Sequence, residues 1–509
     1  MGAIFCVNGT NVMFKFGLST LLMTSSIIMP MVVNAEILTK RQLLTLPTDD
    51  FTKVEKFEHY PGGTEGKFTR IKKQALSQPS KSLGVGGGMD FALGKSMFKK
   101  LWAPAPAATQ ASNGLGPLFN ARSCLSCHLK HGRGHVPEVG FPNEDANSML
   151  IRLSIKPQNK QQQSILATGK QNTIADPIYG GQLQDIGASG FKPEGRISVS
   201  WAYHNELLAD GTIVELRKPE FKINELNYGN LHNDIMTSAR IATQMVGMGL
   251  VESINSADIL RLADPDDLNG DGISGKPNMV WNKSGGALAL GRFGWKAGQP
   301  NLRQQVAAAF SGDVGINTSL FPNPSGDCTH NQQACLEAPN GNTERMGGFE
   351  LSDELLDLTS FFNANLAVPN RKNAAQEIIL LGKKLFYQTG CISCHQPKFV
   401  TGKKSIYKNL HNELIWPYSD FLLHDMGEGL SDNRPEGKAS GNEWRTPPLW
   451  ALGASKYMGK NWQLLHDGRA RNVEEAILWH DGEASKVKQQ YKTLSSMQRN
   501  ALKNFVESL

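Results

Sequence analysis

The chain has 509 residues and a formal net charge of +6, from 53 lysines and arginines against 47 aspartates and glutamates. Hydrophobic residues make up 40% of the chain, which is enough to bury cores and excludes wholesale disorder. The small positive excess contains no long basic run, so the charge pattern argues against nucleic acid as a partner.

The N-terminus has the pattern of an export signal. Lys15 precedes an apolar run over residues 16–33, and Ala35 supplies a small residue at the expected cleavage position. We therefore predict a signal peptide over residues 1–35 and a periplasmic mature protein. A retained membrane anchor is the alternative, but Pro30 and polar residues interrupt the apolar run. No later stretch is long and apolar enough for a membrane span, so none is expected after signal removal.

The first strong motif is Cys124-Leu-Ser-Cys127-His128. Two thiols separated by two residues can each add to one vinyl group of a haem, and the adjoining histidine then reaches the iron as proximal ligand. A zinc site and a reactive dithiol are the rival interpretations. The adjoining histidine favours covalently bound haem c.

Helices are predicted on both sides of this motif. Residues 91–102 have apolar side chains at helical spacing, and a second amphipathic helix is predicted over 352–366. We assign residues 36–150 to the N-terminal region and first cytochrome c haem domain, and 341–370 to its closing helix. Residues 151–340 are then a long insertion within that domain.

The insertion contains two further local features. Alternating polar and apolar residues at 196–199 and 211–216 predict a small hairpin. Cys328 and Cys335 close a short loop, and in an oxidising compartment they are expected to form a disulfide. Two free thiols, or a metal site that includes His330, are the alternatives.

A calcium loop is also predicted in the insertion. Asp267, Asn269, Asp271 and Ser274 place oxygen ligands in the pattern that opens an EF-hand loop. Asn278 stands where the bidentate glutamate is required, so the pattern predicts a partial calcium loop or a turn rich in Asx residues.

The second motif is Cys391-Ile-Ser-Cys394-His395. It follows a predicted helix over 376–386, and the chain ends in another amphipathic helix over 496–509. Residues 371–509 are therefore assigned to a second cytochrome c haem domain. The expected fold is mainly α, with two cytochrome c-like haem domains, a long irregular insertion and a little β structure.

Seven blocks of sequence outside and around these motifs resemble the bacterial di-haem oxidoreductases, which are described as peroxidase-like or thiol oxidoreductase-like. The blocks are 113–134, 247–254, 264–278, 291–310, 422–432, 443–450 and 464–484. The last two are also similar to the C-terminal part of di-haem cytochrome c peroxidases. The resemblance runs from about residue 80 to the C-terminus.

The resemblance implies a division of labour between two haems. The Cys124/Cys127 haem would be the reacting site, and the Cys391/Cys394 haem would receive electrons from a donor protein such as a small cytochrome. It also implies hydrogen peroxide as the oxidant and strengthens the calcium prediction. The alternative is an electron-transfer cytochrome without substrate turnover of its own.

The distal ligands decide between these functions, because an open iron position permits peroxide to bind whereas a His/Met pair suits electron transfer. Met426, which lies in a glycine-containing loop after the second motif, is the candidate for the second haem, with a core role as the alternative. For the first haem the candidates stay open. They are His131, His135, His204, His232, Met245 and Met248.

Several further residues have candidate supporting roles. His466 is expected to support the second haem, and Trp295 or Trp281 could lie between the haems. Arg469 and Arg471 could pair with haem propionates, because guanidinium groups bind carboxylates in a bidentate manner. His424 and His480 are named without an assigned role.

Overall fold

A computed structural model describes residues 39–137, 148–459 and 462–509. The predicted signal peptide, residues 1–35, lies outside the described residues. From Lys40 to Leu509 the chain forms one compact unit. Within the described ranges, no helix combines the length and the apolar character that a bilayer crossing needs. The predicted domain boundaries stay predictions.

The described residues contain fourteen α-helices and ten shorter helical turns. The α-helices are α1 (Lys40–Leu43), α2 (Gly84–Lys99), α3 (Cys124–Cys127), α4 (Lys160–Ala167), α5 (Met248–Ser253), α6 (Ser256–Leu260), α7 (Leu302–Ala309), α8 (Gln333–Leu336), α9 (Asp353–Ala364), α10 (Glu377–Gln388), α11 (Leu452–Ser455), α12 (Val473–Trp479), α13 (Ser485–Thr493) and α14 (Ser496–Ser508). The turns are Gly63–Glu65, Lys72–Ser77, Gln110–Ser112, Leu129–His131, Phe310–Val314, Glu344–Met346, Cys391–Ser393, Lys408–Leu410, Glu428–Leu430 and Gly482–Ala484.

The described strands pair in twos. They are β1 (Ala103–Pro104), β2 (Asn113–Leu115), β3 (Leu118–Phe119), β4 (Met149–Ser154), β5 (Ile186–Gly187), β6 (Arg196–Leu207), β7 (Ile213–Asn224), β8 (Met236–Ile241), β9 (Met279–Asn282), β10 (Ala287–Leu290), β11 (Phe399–Val400), β12 (Leu414–Ile415), β13 (Leu423–Asp425) and β14 (Glu443–Arg445).

The prediction of a mainly α fold is therefore wrong, whereas the two cytochrome c-like haem domains stay a prediction. The structure is 32% helical and 19% strand, which is a mixed composition. Most of the unexpected β structure lies in the predicted insertion, where β4 pairs antiparallel with β8 across more than eighty residues of chain. Pairing over that separation depends on tertiary contacts, so the local pattern of the sequence did not indicate it.

The predicted hairpin is confirmed and is larger than expected. Strands β6 and β7 pair antiparallel over twelve residues each, from Arg196 opposite Asn224 to Leu207 opposite Ile213. Gly211 takes a positive φ of 83° in the connecting turn, as a tight hairpin requires. The tip is held because Arg499 on α14 lies 3.0 Å from the Asp210 carboxylate.

The four helices predicted around the two motifs are confirmed, and they pack as two pairs. Helix α2 crosses α9, and α10 crosses α14. Gly94 on α2 and Gly382 on α10 lie at the crossings, where an added Cβ would overlap the carbonyl oxygens of Leu358 and Ala501 respectively. The sequence therefore places glycine where two helix backbones approach closely.

Each helix pair belongs to one of the two largest hydrophobic clusters. Phe98 and Phe362 lie in the first cluster, with ring centroids 5.3 Å apart. Phe386 and Phe505 lie in the second, with centroids 5.4 Å apart. The helix pairs and their aromatic contacts are thus repeated in the two halves of the chain, and each CxxCH motif follows the first helix of its pair.

Candidate functional site

A cavity opens beside the first CxxCH motif. Cys124, Cys127, His128 and Phe98 line it. The short helix α3 that carries both cysteines is capped by Ser123, whose side chain accepts a hydrogen bond from the Ser126 amide. This local structure presents both thiols and the histidine to one cavity.

A second cavity lies beside the other motif and is lined by Cys391, Cys394, His395 and Phe386. The ring centroids of Phe386 and His395 are 6.1 Å apart, as are those of Phe98 and His128 at the first cavity. The two motifs are therefore placed in the same way, each beside a cavity and near a phenylalanine of the helix that precedes it.

The two motif histidines have the same tautomer. Nδ1 of His128 donates to the carbonyl oxygen of Thr243 at 2.7 Å, and Nδ1 of His395 donates to that of Tyr418 at 2.8 Å. A carbonyl oxygen can only accept, so each ring carries its hydrogen on Nδ1 and its lone pair on Nε2. A hydrogen bond of this kind orients a histidine that binds a metal.

The four motif thiols are partly buried and protonated. Burial raises the pKa of Cys124 to about 12 and that of Cys391 to about 11, and it raises the pKa of Cys127 and Cys394 as well. A reactive dithiol requires a lowered pKa, so these sites do not suit that chemistry. Among the described residues, no group of three or more His, Cys, Asp or Glu is placed to bind a metal ion.

The two cavities share a wall. Trp295, Arg133 and Arg445 line both of them. Trp295 is held by a hydrogen bond of 2.9 Å from its indole nitrogen to the Ile241 carbonyl oxygen. Its ring also meets His466 edge to face at 6.4 Å. Trp295 is thus placed between the two motifs, whereas Trp281 is absent from the described lining of either cavity.

The two arginines of the wall donate to backbone carbonyls. Arg133 donates to the carbonyl oxygens of Gln463 and Leu465, and Arg445 donates to those of Gly294 and Thr446. Within the described residues neither forms a salt bridge, and burial lowers the pKa of each guanidinium to about 10, although the charge of Asp420 opposes this shift at Arg445. Guanidinium groups bind carboxylates through charge-assisted hydrogen bonds, so the wall suits a ligand that carries carboxylates.

The arginines named from the sequence have other partners. Nη2 of Arg469 lies 2.6 Å from the Asp467 carboxylate, and Nε of Arg471 lies 2.8 Å from that of Glu475. Neither arginine belongs to the described lining of a cavity. Arg133 and Arg445 are functional candidates that the sequence analysis missed. The available signal was their position inside blocks 113–134 and 443–450, which carry the family resemblance.

Of the six distal candidates at the first cavity, Met245 and Met248 belong to its lining. His131 is buried between Phe98 and Phe362, and its Nδ1 lies 2.8 Å from the Ser77 hydroxyl. The other three candidates lie elsewhere in the fold. They are His135, His204 and His232. The described lining of this cavity therefore contains no histidine besides His128.

The second cavity differs, because Met426, His424, His466 and His480 all line it in addition to His395. His466 stacks on Trp444 with ring centroids 3.7 Å apart. Nδ1 of His480 donates to the carbonyl oxygen of Ala476 at 2.6 Å, at the C-terminal end of α12. The sequence analysis named His480 but gave it no role. Its position at the end of the helix was the signal that could have indicated one.

His424 is held as an imidazolium. Its Nε2 lies 2.7 Å from the Asp420 carboxylate, and its Nδ1 lies 2.6 Å from that of Glu483. Burial opposes the charge, but the Asp420 carboxylate raises the pKa of His424 well above its ordinary value. Both ring nitrogens are thus occupied.

The predicted calcium loop forms an exposed turn. The carboxylates of Asp267 and Asp271 accept backbone N–H groups of Gly272 and Ile273, and Asn269 accepts the amide of Asp271. The Ser274 hydroxyl donates to Glu483 at 2.5 Å. These side-chain oxygens accept hydrogen bonds from the backbone of the turn itself. Calcium binding therefore stays a prediction. In the same insertion, Cys328 and Cys335 are joined by a disulfide.

Comparisons with known proteins give one extensive match. A family model described as "Di-haem oxidoreductase, putative peroxidase" matches residues 57–509. Among solved structures, the chain is similar to hydrazine synthase of Kuenenia stuttgartiensis, with 18% identity and a TM-score of 0.23 over 32% of this chain. The match spans 57% of the length of that structure's chain. No curated protein matches the sequence.

Proposed function

The chain belongs to the di-haem oxidoreductase family, and from that premise we propose that it is an exported enzyme that reduces hydrogen peroxide with electrons from a small donor protein. Two covalently bound haems would serve this reaction. The observation that carries the proposal is the pair of matching cavities, each lined by two partly buried thiols and a histidine whose lone pair lies on Nε2.

The residues of both cavities fit haem c. Cys124 and Cys127 would hold one macrocycle by thioether bonds, with His128 as proximal ligand. The second would be held in the same way by Cys391-Ile-Ser-Cys394-His395. Haem iron supplies one-electron redox chemistry, and its axial ligands set its potential and its reactivity.

Arg133 and Arg445 would bind carboxylates of both groups at the shared wall. Each guanidinium lines both cavities and forms no salt bridge among the described residues. Charge-assisted hydrogen bonds to carboxylates would stabilise these cations. Trp295 lines both cavities as well and would lie between the two groups.

Electrons would enter at the second site and peroxide would react at the first. The lining of the cavities supports the second part of this assignment, because the described lining of the first holds no histidine besides His128, whereas that of the second holds four histidines. Met245 and Met248 are the distal candidates that line the first cavity. Reduction of one hydrogen peroxide consumes two electrons and two protons and yields two waters. The reacting site therefore needs a group that moves protons.

Asp313 is the candidate proton-transfer group. It is the carboxylate in the described lining of the first cavity, and its Oδ1 accepts a hydrogen bond from Gln182 at 3.0 Å. After burial, its charge is the next cause that raises the pKa of Cys124 and Cys127, which places it close to both thiols. The sequence alone did not nominate this residue among the many acidic side chains.

Export to the periplasm is supported by the pattern of residues 1–35 and by the disulfide between Cys328 and Cys335, since structural disulfides persist in oxidising compartments. Calcium at Asp267, Asn269, Asp271 and Ser274 is a further part of the proposal. It is checked by calcium titration of the holoprotein and of an Asp267→Asn variant.

The decisive experiment measures peroxide reduction by purified holoprotein, with a reduced small cytochrome as donor. We expect a mass increase of two haems, a periplasmic location, and turnover that an Asp313→Asn variant lowers by at least tenfold while it keeps both haems. Asp234→Asn, at an exposed position, is the matched control. Two low-spin haems that ignore peroxide and cyanide would instead establish an electron-transfer cytochrome. Protein without covalent haem would contradict the proposal as a whole.

A further inference from the structure

We propose that Nε2 of His480 is the second axial ligand of the haem held by Cys391, Cys394 and His395. The inference rests on the proposed function, because it requires haem at that site. It gives the second site two histidine ligands, whereas the first site keeps one.

The hydrogen bonds of His480 match those of the two proximal histidines. Its Nδ1 donates to the Ala476 carbonyl oxygen at 2.6 Å, just as Nδ1 of His128 and of His395 donate to backbone carbonyls. The ring therefore carries its lone pair on Nε2. A ring oriented by a backbone carbonyl is preorganised to bind a metal through its other nitrogen.

The position of His480 is fixed by a short, well-anchored helix. Helix α12 begins at an Asn472 cap, whose side chain accepts the Glu475 amide, and it packs against α14. His480 is the residue that ends this helix. Its ring is therefore held by both the helix terminus and the Ala476 carbonyl, which limits its rotation.

His480 faces the same cavity as His395. Both residues line it, and both side chains are only partly buried. That exposure is expected for side chains that border an internal cavity. The lone pair on Nε2 of each ring is therefore available to a group that occupies this cavity.

The other side chains of the cavity are less suited to the iron. Both nitrogens of His424 are engaged by carboxylates, and that ring is charged. His466 is stacked on Trp444, and its Nε2 lies 3.5 Å from the Asp467 carboxylate. Met426, the ligand expected from the sequence, packs partly buried against two hydrophobic clusters. Among the described residues, its backbone amide donates to the Asn442 carbonyl oxygen, but no hydrogen bond orients its thioether.

The consequence is a functional difference between the two sites. Two imidazole ligands give a low-spin iron with a lower reduction potential than a His/Met pair. The second site would then transfer electrons without binding small ligands, and the first would remain accessible to them. The identity of this one ligand thus sets the direction of the electron flow.

The test compares His480→Ala, His480→Met and Met426→Leu in exported holoprotein, with His204→Ala as control. His204 is exposed and absent from the described cavity linings. Haem content is measured by mass and by the pyridine haemochrome. Spin state is read from electron paramagnetic resonance and near-infrared magnetic circular dichroism, and the potential from spectroelectrochemistry.

We expect His480→Ala to convert one of the two haems from low to high spin, and added imidazole to restore it. His480→Met should give the His/Met signature and raise the potential of that haem, which keeps the test valid if the alanine variant folds poorly. Met426→Leu and His204→Ala should keep the wild-type spectrum.

Two results separate the possible failures. If the wild type carries two haems but His480→Ala leaves the spectrum unchanged, or Met426→Leu changes it instead, the ligand assignment alone is overturned. If the wild type carries no covalent haem, the proposed function fails and the assignment fails with it.

Discussion

Replacement of Gly94 by alanine should weaken the crossing of α2 and α9 beside the first cavity. An added Cβ would lie 2.6 Å from the Phe362 Cβ and would overlap the Leu358 carbonyl oxygen. Carbon atoms in contact are normally about 3.5–4.0 Å apart, so the two helices would have to separate by about 1 Å. The obstacle is backbone and a Cβ, neither of which can rotate away.

The magnitude follows from two opposed effects. Overpacking of this kind costs about 1–3 kcal/mol, and a clash with backbone belongs at the upper end of that range. Alanine in place of glycine within a helix returns about 0.5–1 kcal/mol. Gly94→Ala should therefore lower the free energy of unfolding by about 2 kcal/mol.

A matched control lies in the same helix. Gly88 is exposed, and no atom lies within 4 Å of a Cβ added there. Gly88→Ala should raise the free energy of unfolding by about 0.5–1 kcal/mol. Because the helix-propensity gain is common to both variants, their difference of about 3 kcal/mol isolates the clash. Urea unfolding followed by circular dichroism measures it. If Gly94→Ala is as stable as Gly88→Ala, the close crossing of α2 and α9 is refuted.

Three other predictions concern the rest of the fold and the shared wall. Burial alone would raise the pKa of Glu436, but Arg240 and Arg434 hold it well below its ordinary value of 4.5. The ionised carboxylate therefore stabilises the fold fully above about pH 4.5, and this contribution is lost as the pH falls further. Glu436→Gln should lower the free energy of unfolding by about 3 kcal/mol at neutral pH. In urea unfolding, the stability of this variant should also fall less steeply in acid than that of the wild type. Arg445→Gln should lower haem reduction potentials, because a nearby cation stabilises the reduced state; spectroelectrochemistry that shows no change would contradict its place in the wall. Cys328→Ser should lower the free energy of unfolding by about 2.5 kcal/mol, because a disulfide that closes a short loop restricts the unfolded chain. Equal urea unfolding midpoints for the variant and the wild type would contradict this.

Much of the candidate site could be predicted from local sequence. The spacing within Cys124-Leu-Ser-Cys127-His128 indicates its chemistry before any fold is known, because the five residues act as one covalent unit. The helices around both motifs were predictable for a similar reason, since apolar residues recur at helical spacing in each. Gly94 and Gly382 stand four residues before Phe98 and Phe386, which already indicated a repeated helix crossing.

The β structure of the insertion was less predictable. The sequence predicted a shorter hairpin than the one that strands β6 and β7 form, because only part of each twelve-residue strand shows a regular alternation of polar and apolar residues. Strand β4 finds its partner β8 far along the chain. Strand pairing depends on which surfaces meet, so the alternation of polar and apolar residues underestimated it.

The sequence by itself determined which residues are the candidates for attaching two haems and for their proximal ligands, because that chemistry depends on neighbours along the chain. Only the tertiary structure decided which distant side chains complete each cavity. It brought Trp295, Arg133 and Arg445 to one wall and placed His480 in the same cavity as His395. Such groupings arise from the packing of elements that are far apart in the chain, and no local pattern of charge or polarity records which of them meet.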